Sequence, residues 1–440
     1  MIRLRSYYRL SLNVVLLFTL VTIGCGRSNP VSEVSTADSG IPVIDLDYDP
    51  GSDWNGWRGP RGDGTAMEQS LPTSWDDSTN LRWRVDVPGR GHGSPIVVGS
   101  AVYLASANDK TQQQWVFAYA RETGDELWRR LIHEGNFPSA SEVHKKATNA
   151  NGTIASDGQR LYIGMLNGGS IMATALNLEG EILWQNEAGK FVSRFGYAPS
   201  PLTYKSLVIF PADNGGGGYI TAFDGESGSV VWRIARSDAS SYSSAMVASV
   251  GGRDQLLIAG GKTLSSYDPA TGETNWQTPG LATSTCGTVV TSGDFILASG
   301  GYPQAETMCV DGDGKRIWSD STKIYEPSPI VSGDYMVGVK DDGVAFCWSV
   351  SSGELQWKKR LGGNFSASPV IVNGLIYVSN LSGDTFVFRA GEAFELVAKN
   401  RLGSDCYASP AVSNGDLFLR VGVAGESERK EQLVCIGSDP

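Results

Sequence analysis

One short pattern recurs along this chain: a turn that contains glycine is followed, four residues later, by a tryptophan. Thr123-Gly124 precedes Trp128 in this way, and Ser352-Gly353 precedes Trp357. The copies recur with a period of roughly 40–50 residues, which is typical of β-propeller blades built from four short strands. The tryptophans that follow these turns are Trp128, Trp184, Trp232, Trp276, Trp318 and Trp357.

A second pattern opens each repeat: Ser-Pro or an equivalent small pair, then an apolar run and a turn. Proline is tolerated at the start of a strand because its missing N–H need not pair there. The eight copies predict eight innermost strands, so the fold class we expect is all-β, an eight-bladed β-propeller. The copies begin at Ser94, Gly152, Ser200, Ser244, Gly287, Ser328, Ser368 and Ser409.

The repeats are out of phase with the two ends of the chain. The unit that begins at Ser409 lacks a tryptophan strand, whereas Trp83 lies in a strand that has no partner before it. We therefore predict that residues 81–86 pair beside residues 432–436, as the outermost strand of the last blade. That pairing would close the ring and remove an open edge. The seven tryptophans of the pattern, Trp83 included, are expected to pack between blades. In the seventh repeat, Phe394 stands where tryptophan is expected.

The sequence divides into four parts. Residues 1–24 combine a basic start with a short apolar stretch, which is typical of a signal peptide. The residues around Cys25 resemble a bacterial lipobox, and that resemblance implies lipidation of Cys25; an ordinary cleaved signal peptide is the alternative. Residues 25–52 are expected to be a flexible tether. Residues 53–79 are expected to be a lead-in segment that packs on the propeller of residues 80–440.

Charge and cysteine usage narrow the function. The net charge of −11 disfavours a nucleic-acid partner, which would require a basic face. No Cys-x-x-Cys pair occurs, and beyond Cys25 the number of cysteines is odd. We therefore interpret them as small buried hydrophobic residues rather than as redox or metal ligands. They are Cys286, Cys309, Cys347, Cys406 and Cys435.

The repeats resemble the pyrroloquinoline-quinone (PQQ)-like propeller repeat, whose core is Asp-x-x-Thr-Gly-x-x-x-Trp. The segment from Asp268 to Trp276 has this core. The run from Trp57 to Pro60 resembles the lead-in of secreted bacterial PQQ-like propellers. Two groups share the repeat, the quinoprotein alcohol dehydrogenases and the BamB-type lipoproteins of outer-membrane protein assembly.

The two groups imply different functions. Quinoprotein alcohol dehydrogenases hold their quinone with an adjacent Cys-Cys disulfide, a tryptophan floor and a calcium site of Glu, Asn and Asp. No two cysteines are adjacent here, so we predict no cofactor, neither PQQ nor calcium. The BamB-type resemblance implies a non-catalytic scaffold that binds proteins in the cell envelope. It also implies a periplasmic location with a lipid anchor in the outer membrane.

Motifs for catalysis and metal binding are missing from the sequence. It has three histidines and neither a His-Glu-x-x-His nor a Gly-x-Ser-x-Gly motif, so we predict no catalytic residue and no metal site. Two alternatives to the scaffold stay open: a PQQ-dependent alcohol dehydrogenase-like enzyme, and a sensory module that binds a carbohydrate or another ligand.

One face of the propeller is the best candidate for a binding site. In a propeller, the connections from fourth to first strand and from second to third strand lie on one face, around the central channel. Aromatic, basic and acidic groups that converge there suit the capture of a peptide, glycan or small ligand. The candidate residues are His92, His144, Arg194, Tyr197, Asp213, Arg236, Tyr242, Tyr325, Glu326, Asp405 and Tyr407.

Overall fold

The computed structural model describes residues 39–425 and 428–438 of the protein. Within these ranges the chain forms eight four-stranded antiparallel sheets and one short 3-10 helix, Ala140–Glu142. The predicted eight-bladed β-propeller is confirmed. In the same ranges, no helix has the length and apolar character needed to cross a membrane. The predicted signal peptide and Cys25 lie outside the described residues.

The strands follow one another with short connections. In chain order they are β1 (Leu81–Val87), β2 (Ile96–Val98), β3 (Ala101–Asn108), β4 (Gln113–Ala120), β5 (Glu126–Glu134), β6 (Ala155–Ser156), β7 (Arg160–Asn167), β8 (Ser170–Asn177), β9 (Ile182–Lys190), β10 (Leu202–Tyr204), β11 (Leu207–Ala212), β12 (Tyr219–Asp224), β13 (Val230–Ala235), β14 (Met246–Val250), β15 (Arg253–Gly260), β16 (Thr263–Tyr267), β17 (Thr274–Pro279), β18 (Val290–Ser292), β19 (Phe295–Gly300), β20 (Glu306–Asp311), β21 (Arg316–Asp320), β22 (Ile330–Ser332), β23 (Tyr335–Val339), β24 (Val344–Ser349), β25 (Leu355–Arg360), β26 (Val370–Val372), β27 (Leu375–Ser379), β28 (Asp384–Ala390), β29 (Phe394–Arg401), β30 (Ala411–Ser413), β31 (Asp416–Val423) and β32 (Lys430–Ile436). Blade 1 contains β2–β5, blade 2 β6–β9, blade 3 β10–β13, blade 4 β14–β17, blade 5 β18–β21, blade 6 β22–β25, blade 7 β26–β29, and blade 8 β30–β32 with β1.

Each blade is buried in its middle strands and exposed at its outer edge. In blade 3, all of β11 and nearly all of β12 are buried, because both faces of the sheet pack against neighbouring blades. Their sequences are accordingly almost continuous apolar runs rich in β-branched and aromatic residues. The fourth strand is outermost, and every residue of β25 is at least partly exposed. The core therefore lies between the blades.

The recurring tryptophan and glycine meet between neighbouring blades. A Cβ atom on Gly353 of blade 6 would lie 2.5 Å from the indole of Trp318 in blade 5. The Trp318 indole N–H donates to the carbonyl of Val350 in the same turn, at 2.7 Å. Gly353 has a φ of +73°, a conformation that favours glycine. The predicted packing between blades is confirmed, since each tryptophan of the pattern donates to a backbone carbonyl of the next blade. These are Trp83, Trp128, Trp184, Trp232, Trp276, Trp318 and Trp357.

Blade 7 departs from the pattern and corrects one expectation. Tyr377 pairs with Val387, and Val387 with Ala398, so Ala398 occupies the position that tryptophan holds in the other blades. The interpretation of Phe394 as the replacement was wrong, because β29 starts early and Phe394 lies at its first position. Trp75 from the lead-in segment stacks on Tyr377 instead, with ring centroids 6.3 Å apart, and is 3% exposed. A distant part of the chain thus supplies the missing indole to this core cluster.

A belt of hydroxyl groups joins the innermost strands around the channel. The amide of Ser94 donates to Thr153 Oγ1 in the next blade at 3.0 Å, and the same bond links most neighbouring blades. The belt passes from blade 8 back to blade 1, where the amide of Ser409 donates to Ser94 Oγ. At Thr288 the hydroxyl accepts the indole N–H of Trp57 at 2.8 Å. The belt residues are Ser94, Thr153, Ser200, Ser244, Thr288, Ser328, Ser368 and Ser409.

Blade 8 combines strands that are far apart in sequence. Strand β1 pairs antiparallel with β32, with Trp83 opposite Cys435, and β32 pairs with β31. Beside this pairing, Arg82 forms an ion pair of 2.8 Å with Asp416 of β31. The amide of Gly437 also donates to the carbonyl of Asn80, at 3.0 Å. Residues 81–87 are therefore the outermost strand of the eighth sheet.

The lead-in segment runs across the ring. Trp54 forms a bridge with Val97 in blade 1, and Thr65 forms a parallel bridge with blade 7. Between them, Arg58 donates to the carbonyl of Pro329 in blade 6, at 2.7 Å. The segment therefore connects the innermost strands of blades that lie on different sides of the channel.

Part of the segment that we expected to be a flexible tether is described, and it contacts blade 3. The amide of Ser206 donates to the carbonyl of Ile44 at 2.9 Å, and the amide of Ile44 donates to Ser206 Oγ at 3.1 Å. Lys205 forms an ion pair of 3.1 Å with Asp45. Residues near the end of this segment thus lie along the turn between the first two strands of blade 3.

Candidate functional site

The fourth-to-first connections bring one side chain from each blade to the mouth of the channel. Each of these residues stands two positions before a residue of the hydroxyl belt. The eight therefore occupy equivalent positions in the repeat and lie at a similar level along the channel. We call this set the mouth ring. Four of the predicted site residues, from separate blades, belong to it. The mouth ring consists of His92, Asn151, Ala198, Tyr242, Cys286, Glu326, Ser366 and Tyr407.

His92 and Tyr407 are stacked neighbours in the mouth ring. Their rings are nearly parallel, with centroids 4.1 Å apart. The guanidinium of Arg90 lies 6.0 Å from the centre of the Tyr407 ring. Burial, together with Arg90 and Arg420, holds the pKa of His92 well below its usual range. His92 is therefore a neutral imidazole, and its Nε2 atom is buried without a hydrogen-bond partner among the described residues.

Lys146 reaches across the mouth from the long connection between blades 1 and 2. Its ammonium donates to Glu326, between blades 5 and 6, at 2.8 Å. Burial lowers the pKa of Lys146, but its hydrogen bond to Glu326 and the charges of Glu326 and Asp341 raise it above the usual value. His144, on the same connection, is exposed and meets Phe195 edge to face, with centroids 5.7 Å apart.

Cys286 lies near Lys146, and it and its neighbours are groups that stay protonated. Burial raises the pKa of the Cys286 thiol to about 12 and that of Tyr242 to about 12. Burial, with Cys286, also raises the pKa of Tyr325. The hydroxyl of Tyr242 is buried without a hydrogen-bond partner in the described ranges. A thiol with such a raised pKa is a poor nucleophile, so the site does not suit thiolate chemistry.

Three predicted site residues are parts of the structural core. Asp213 accepts two hydrogen bonds from Arg236, at 2.6 and 2.9 Å, and each side chain is 3% exposed. Arg236 also donates to the hydroxyl of Tyr267, at 2.8 Å. Tyr197 is buried and donates to the carbonyl of Pro211, at 3.0 Å. The structure does not bring these three side chains to the mouth.

Asp405 belongs to a charged network in blade 8. It accepts two hydrogen bonds from Arg429, at 2.6 and 2.7 Å. Arg429 also donates to Glu431, at 2.9 Å, and Glu431 pairs with Arg420 inside the blade. The carboxylate of Asp405 is thus already satisfied by the protein.

The same face carries an open groove of about 650 Å³ beside the mouth, lined from blades 2 to 5. Arg194 was predicted from the sequence, and its guanidinium lies 5.3 Å from the Phe195 ring centre. Lys262, at the second-to-third turn of blade 4, lines the groove as well, but sequence reasoning missed it. That turn is equivalent to the connection between the second and third strands of blade 3, which contains Asp213, and this equivalence could have identified Lys262 from the sequence. Hydroxyl and small residues complete the lining, among them Ser193, Ser237, Ser240, Thr283 and Ser284.

Large apolar side chains are exposed around this groove. Val192 is 58% exposed, Phe195 is 41% exposed and Tyr302 is 63% exposed. Tyr302 lies next to the groove, because its backbone forms a bridge with Ser284, which lines it. Exposed apolar residues that are rimmed by polar groups mark interaction surfaces more often than isolated ones do. Sequence reasoning missed Val192, Phe195 and Tyr302, which lie in connections without a repeat signature.

The described residues lack the adjacent cysteine pair with which quinoprotein alcohol dehydrogenases hold their quinone. The described cysteines are free and none is adjacent to another, and the described ranges contain no group of three His, Cys, Asp or Glu side chains that could hold a metal ion. The absence of PQQ and calcium stays a prediction. Cys309, Cys347 and Cys435 each lie opposite a tryptophan of the pattern and are fully buried.

Comparison with known proteins places the repeats in a described family. The family model described as "Outer membrane protein assembly factor BamB" matches residues 112–359, which is more than half of the chain. The protein of that name from Burkholderia pseudomallei is 25% identical over 286 residues, which cover 61% of this chain and 66% of the relative. The match thus spans just under two thirds of that relative.

Solved structures share the fold at low identity. BamB from Moraxella catarrhalis superposes with a TM-score of 0.59 at 17% identity, covering 80% of this chain and 99% of the other. A quinohemoprotein alcohol dehydrogenase from Comamonas testosteroni gives 0.62 at 13% identity, covering 88% and 81%. BamB and an alcohol dehydrogenase thus match about equally well, so likeness of fold does not choose between their functions.

Proposed function

We propose, from the premise that this chain belongs to the BamB family of PQQ-like propellers, that it is a non-catalytic scaffold which binds other proteins. The compartment we propose is extracytoplasmic, and more finely the periplasm, with an anchor in the outer membrane through a lipid on Cys25. We prefer a scaffold to a quinone enzyme because the described residues lack the adjacent cysteine pair that holds the quinone in quinoprotein alcohol dehydrogenases.

The observation that carries the proposal is the groove with its exposed rim. Phe195 and Tyr302 offer aromatic area, and Arg194 and Lys262 offer cations beside it. No carboxylate forms an ion pair with either cation in the described ranges, so both are available to a partner. Aromatic residues and arginine are enriched at protein interfaces and dominate their energetics. A groove of hydroxyl and backbone groups adds hydrogen-bonding capacity for an extended segment.

Affinity purification from cell envelopes tests this assignment. The full chain should recover specific partners, and the double variant Phe195→Ala, Tyr302→Ala should lower their recovery at least tenfold. The matched control is Ile317→Ala, Leu355→Ala, which removes two comparably exposed apolar side chains from the outer strands β21 and β25. Equal recovery with both double variants would count against this face as the docking surface.

Three further measurements address the rival functions and the anchor. Dye-linked alcohol oxidation after reconstitution with PQQ and Ca²⁺ would overturn the scaffold proposal in favour of an enzyme. Binding on a glycan array that is lost with Tyr302→Ala would indicate the carbohydrate-binding alternative. Release of the Cys25→Ser variant from membranes would support the lipid anchor, and unchanged membrane association would contradict it.

A further inference from the structure

We propose that the mouth ring is a binding site for a primary ammonium group, and that the side chain of Lys146 occupies this site in the structure. The site differs from the groove described above and does not depend on the scaffold function. Its ligand would be a free alkylamine or the side chain of a lysine in another polypeptide. Both present the same chemistry, an ammonium on a flexible apolar stem.

Lys146 reaches its ion-pair partner from the opposite side of the ring. Its connection leaves blade 1 and enters blade 2, whereas its ion-pair partner Glu326 lies between blades 5 and 6. In a ring of eight blades, these two connections lie on opposite sides of the channel. The ammonium therefore stands at the channel mouth, and the stem of Lys146 spans part of the opening.

The surroundings of the ammonium suit a cation. Glu326 accepts its hydrogen bond at 2.8 Å, and Asp341 lies close enough to Lys146 to favour its charged form. The two carboxylates together make this part of the mouth favourable for a cation, because nearby opposite charges stabilise the charged form of an amine.

Two buried polar atoms show that Lys146 does not use the whole site. His92 Nε2 and Tyr242 Oη belong to the same mouth ring, and neither has a hydrogen-bond partner in the described part of the chain. Buried polar groups are nearly always hydrogen-bonded to protein, water or ligand. A ligand with a hydrogen-bonding group beyond its ammonium would satisfy atoms that the Lys146 side chain leaves unpaired.

The contact that Lys146 makes is suited to exchange. Its side chain is 40% exposed and that of Glu326 is 23% exposed. Ion pairs with this degree of exposure contribute little net free energy, because water solvates both partners almost as well when they separate. An external ammonium can therefore compete with Lys146 for Glu326 without disturbing the fold.

Isothermal titration calorimetry of the full chain with butylammonium tests the proposal. Lys146→Ala should bind butylammonium at least tenfold more tightly than the unsubstituted protein, because the internal competitor is gone. The neighbouring exposed Lys145 provides the matched control, and Lys145→Ala should bind as the unsubstituted protein does. Adding Glu326→Gln to Lys146→Ala should abolish the gain. A gain that survives Glu326→Gln would overturn the proposal.

A second ligand separates the two sources of the ammonium. A short peptide with one internal lysine and blocked ends is titrated beside butylammonium. Binding of butylammonium supports a site for free amines, and binding of the peptide alone supports capture of a lysine side chain. Thermal unfolding monitors the variants, and Lys146→Met, which keeps an apolar stem, replaces Lys146→Ala if the latter is unstable. Failure of both ligands with both variants would contradict the assignment.

Discussion

The backbone amide of Ser409 in blade 8 donates to the hydroxyl of Ser94 in blade 1, at 3.0 Å. The two residues are far apart in sequence, yet their contact repeats the bond that joins successive blades elsewhere. Ser94 thus takes part in two inter-blade bonds, since its own amide donates to Thr153. Each bond satisfies a buried amide that the sheets leave unpaired.

Replacement of the Ser94 hydroxyl should weaken the junction of blades 8 and 1. Ser94→Ala leaves the buried amide of Ser409 without an acceptor, which costs roughly 1–3 kcal/mol. Urea unfolding should show this loss in the free energy of unfolding. Ser351→Ala, at an exposed turn hydroxyl, is the control and should change stability little. A Ser94→Ala protein as stable as that control would show that the bond is dispensable.

Because the Trp318 indole packs directly against Gly353, any side chain at that position would overlap with the ring. Gly353→Ala places a Cβ 2.5 Å from the indole at a φ of +73°, so it combines overlap with backbone strain. Gly333 has a φ of +59° and no atom near its added Cβ, so Gly333→Ala should cost only the strain, roughly 1–2 kcal/mol. We expect Gly353→Ala to cost about 1–3 kcal/mol more. Thermal unfolding of the two variants gives the comparison, and equal losses would contradict it.

The buried pair of Asp213 and Arg236 should behave as a structural unit. Asp213→Ala strands a buried guanidinium and should destabilise the protein by roughly 3–5 kcal/mol. The double variant Asp213→Leu, Arg236→Met removes both charges and should recover most of that loss. Denaturant unfolding of the three proteins tests this, and a double variant no more stable than Asp213→Ala would refute it. Loss of ligand binding in an Asp213 variant would therefore not show that the face around the channel mouth binds the ligand, because the substitution also destabilises the protein.

His92 should make the fold sensitive to acid. Because burial lowers its pKa in the folded state, the unfolded chain binds its proton more readily, so stability rises with pH between the folded pKa and 6.5. Stability is correspondingly lost as pH falls below 6.5. His92→Phe keeps the stack on Tyr407 and should flatten this part of the curve. Unfolding measured from pH 7 to pH 4 checks it, and an unchanged slope would exclude His92 as the cause.

The repeat allowed most of the architecture to be predicted, because each blade requires its own turn glycine and tryptophan. Trp318 and its equivalents were placed between blades from spacing alone. Blade 7 could not be predicted in this way. An early start of β29 moves Phe394 away from the tryptophan position, and the replacement, Trp75, lies outside the repeats. Contacts between segments that are far apart in sequence cannot be recognised from the spacing of the repeats.

The candidate site was predicted less completely than the fold. Topology predicted that His92, Tyr242, Glu326 and Tyr407 share one face, and in the structure they occupy equivalent positions of the repeat. It could not tell which charged residues on that face would be buried in pairs, as Asp213 is. It also missed Lys146, since the path of a long connection depends on tertiary contacts rather than on local preference.

The path of the lead-in segment has a consequence for the order in which structure forms. Trp54 forms its bridge with blade 1, which follows it closely in sequence. Arg58 and Thr65 instead find their partners in blades 6 and 7, which lie much later in the chain. A chain that emerges amino-terminus first would hold these residues without partners until most of the blades had been made. Such contacts pay a large entropic cost for closing long loops and form late. The earliest residues of the propeller unit would then be among the last to acquire their final structure.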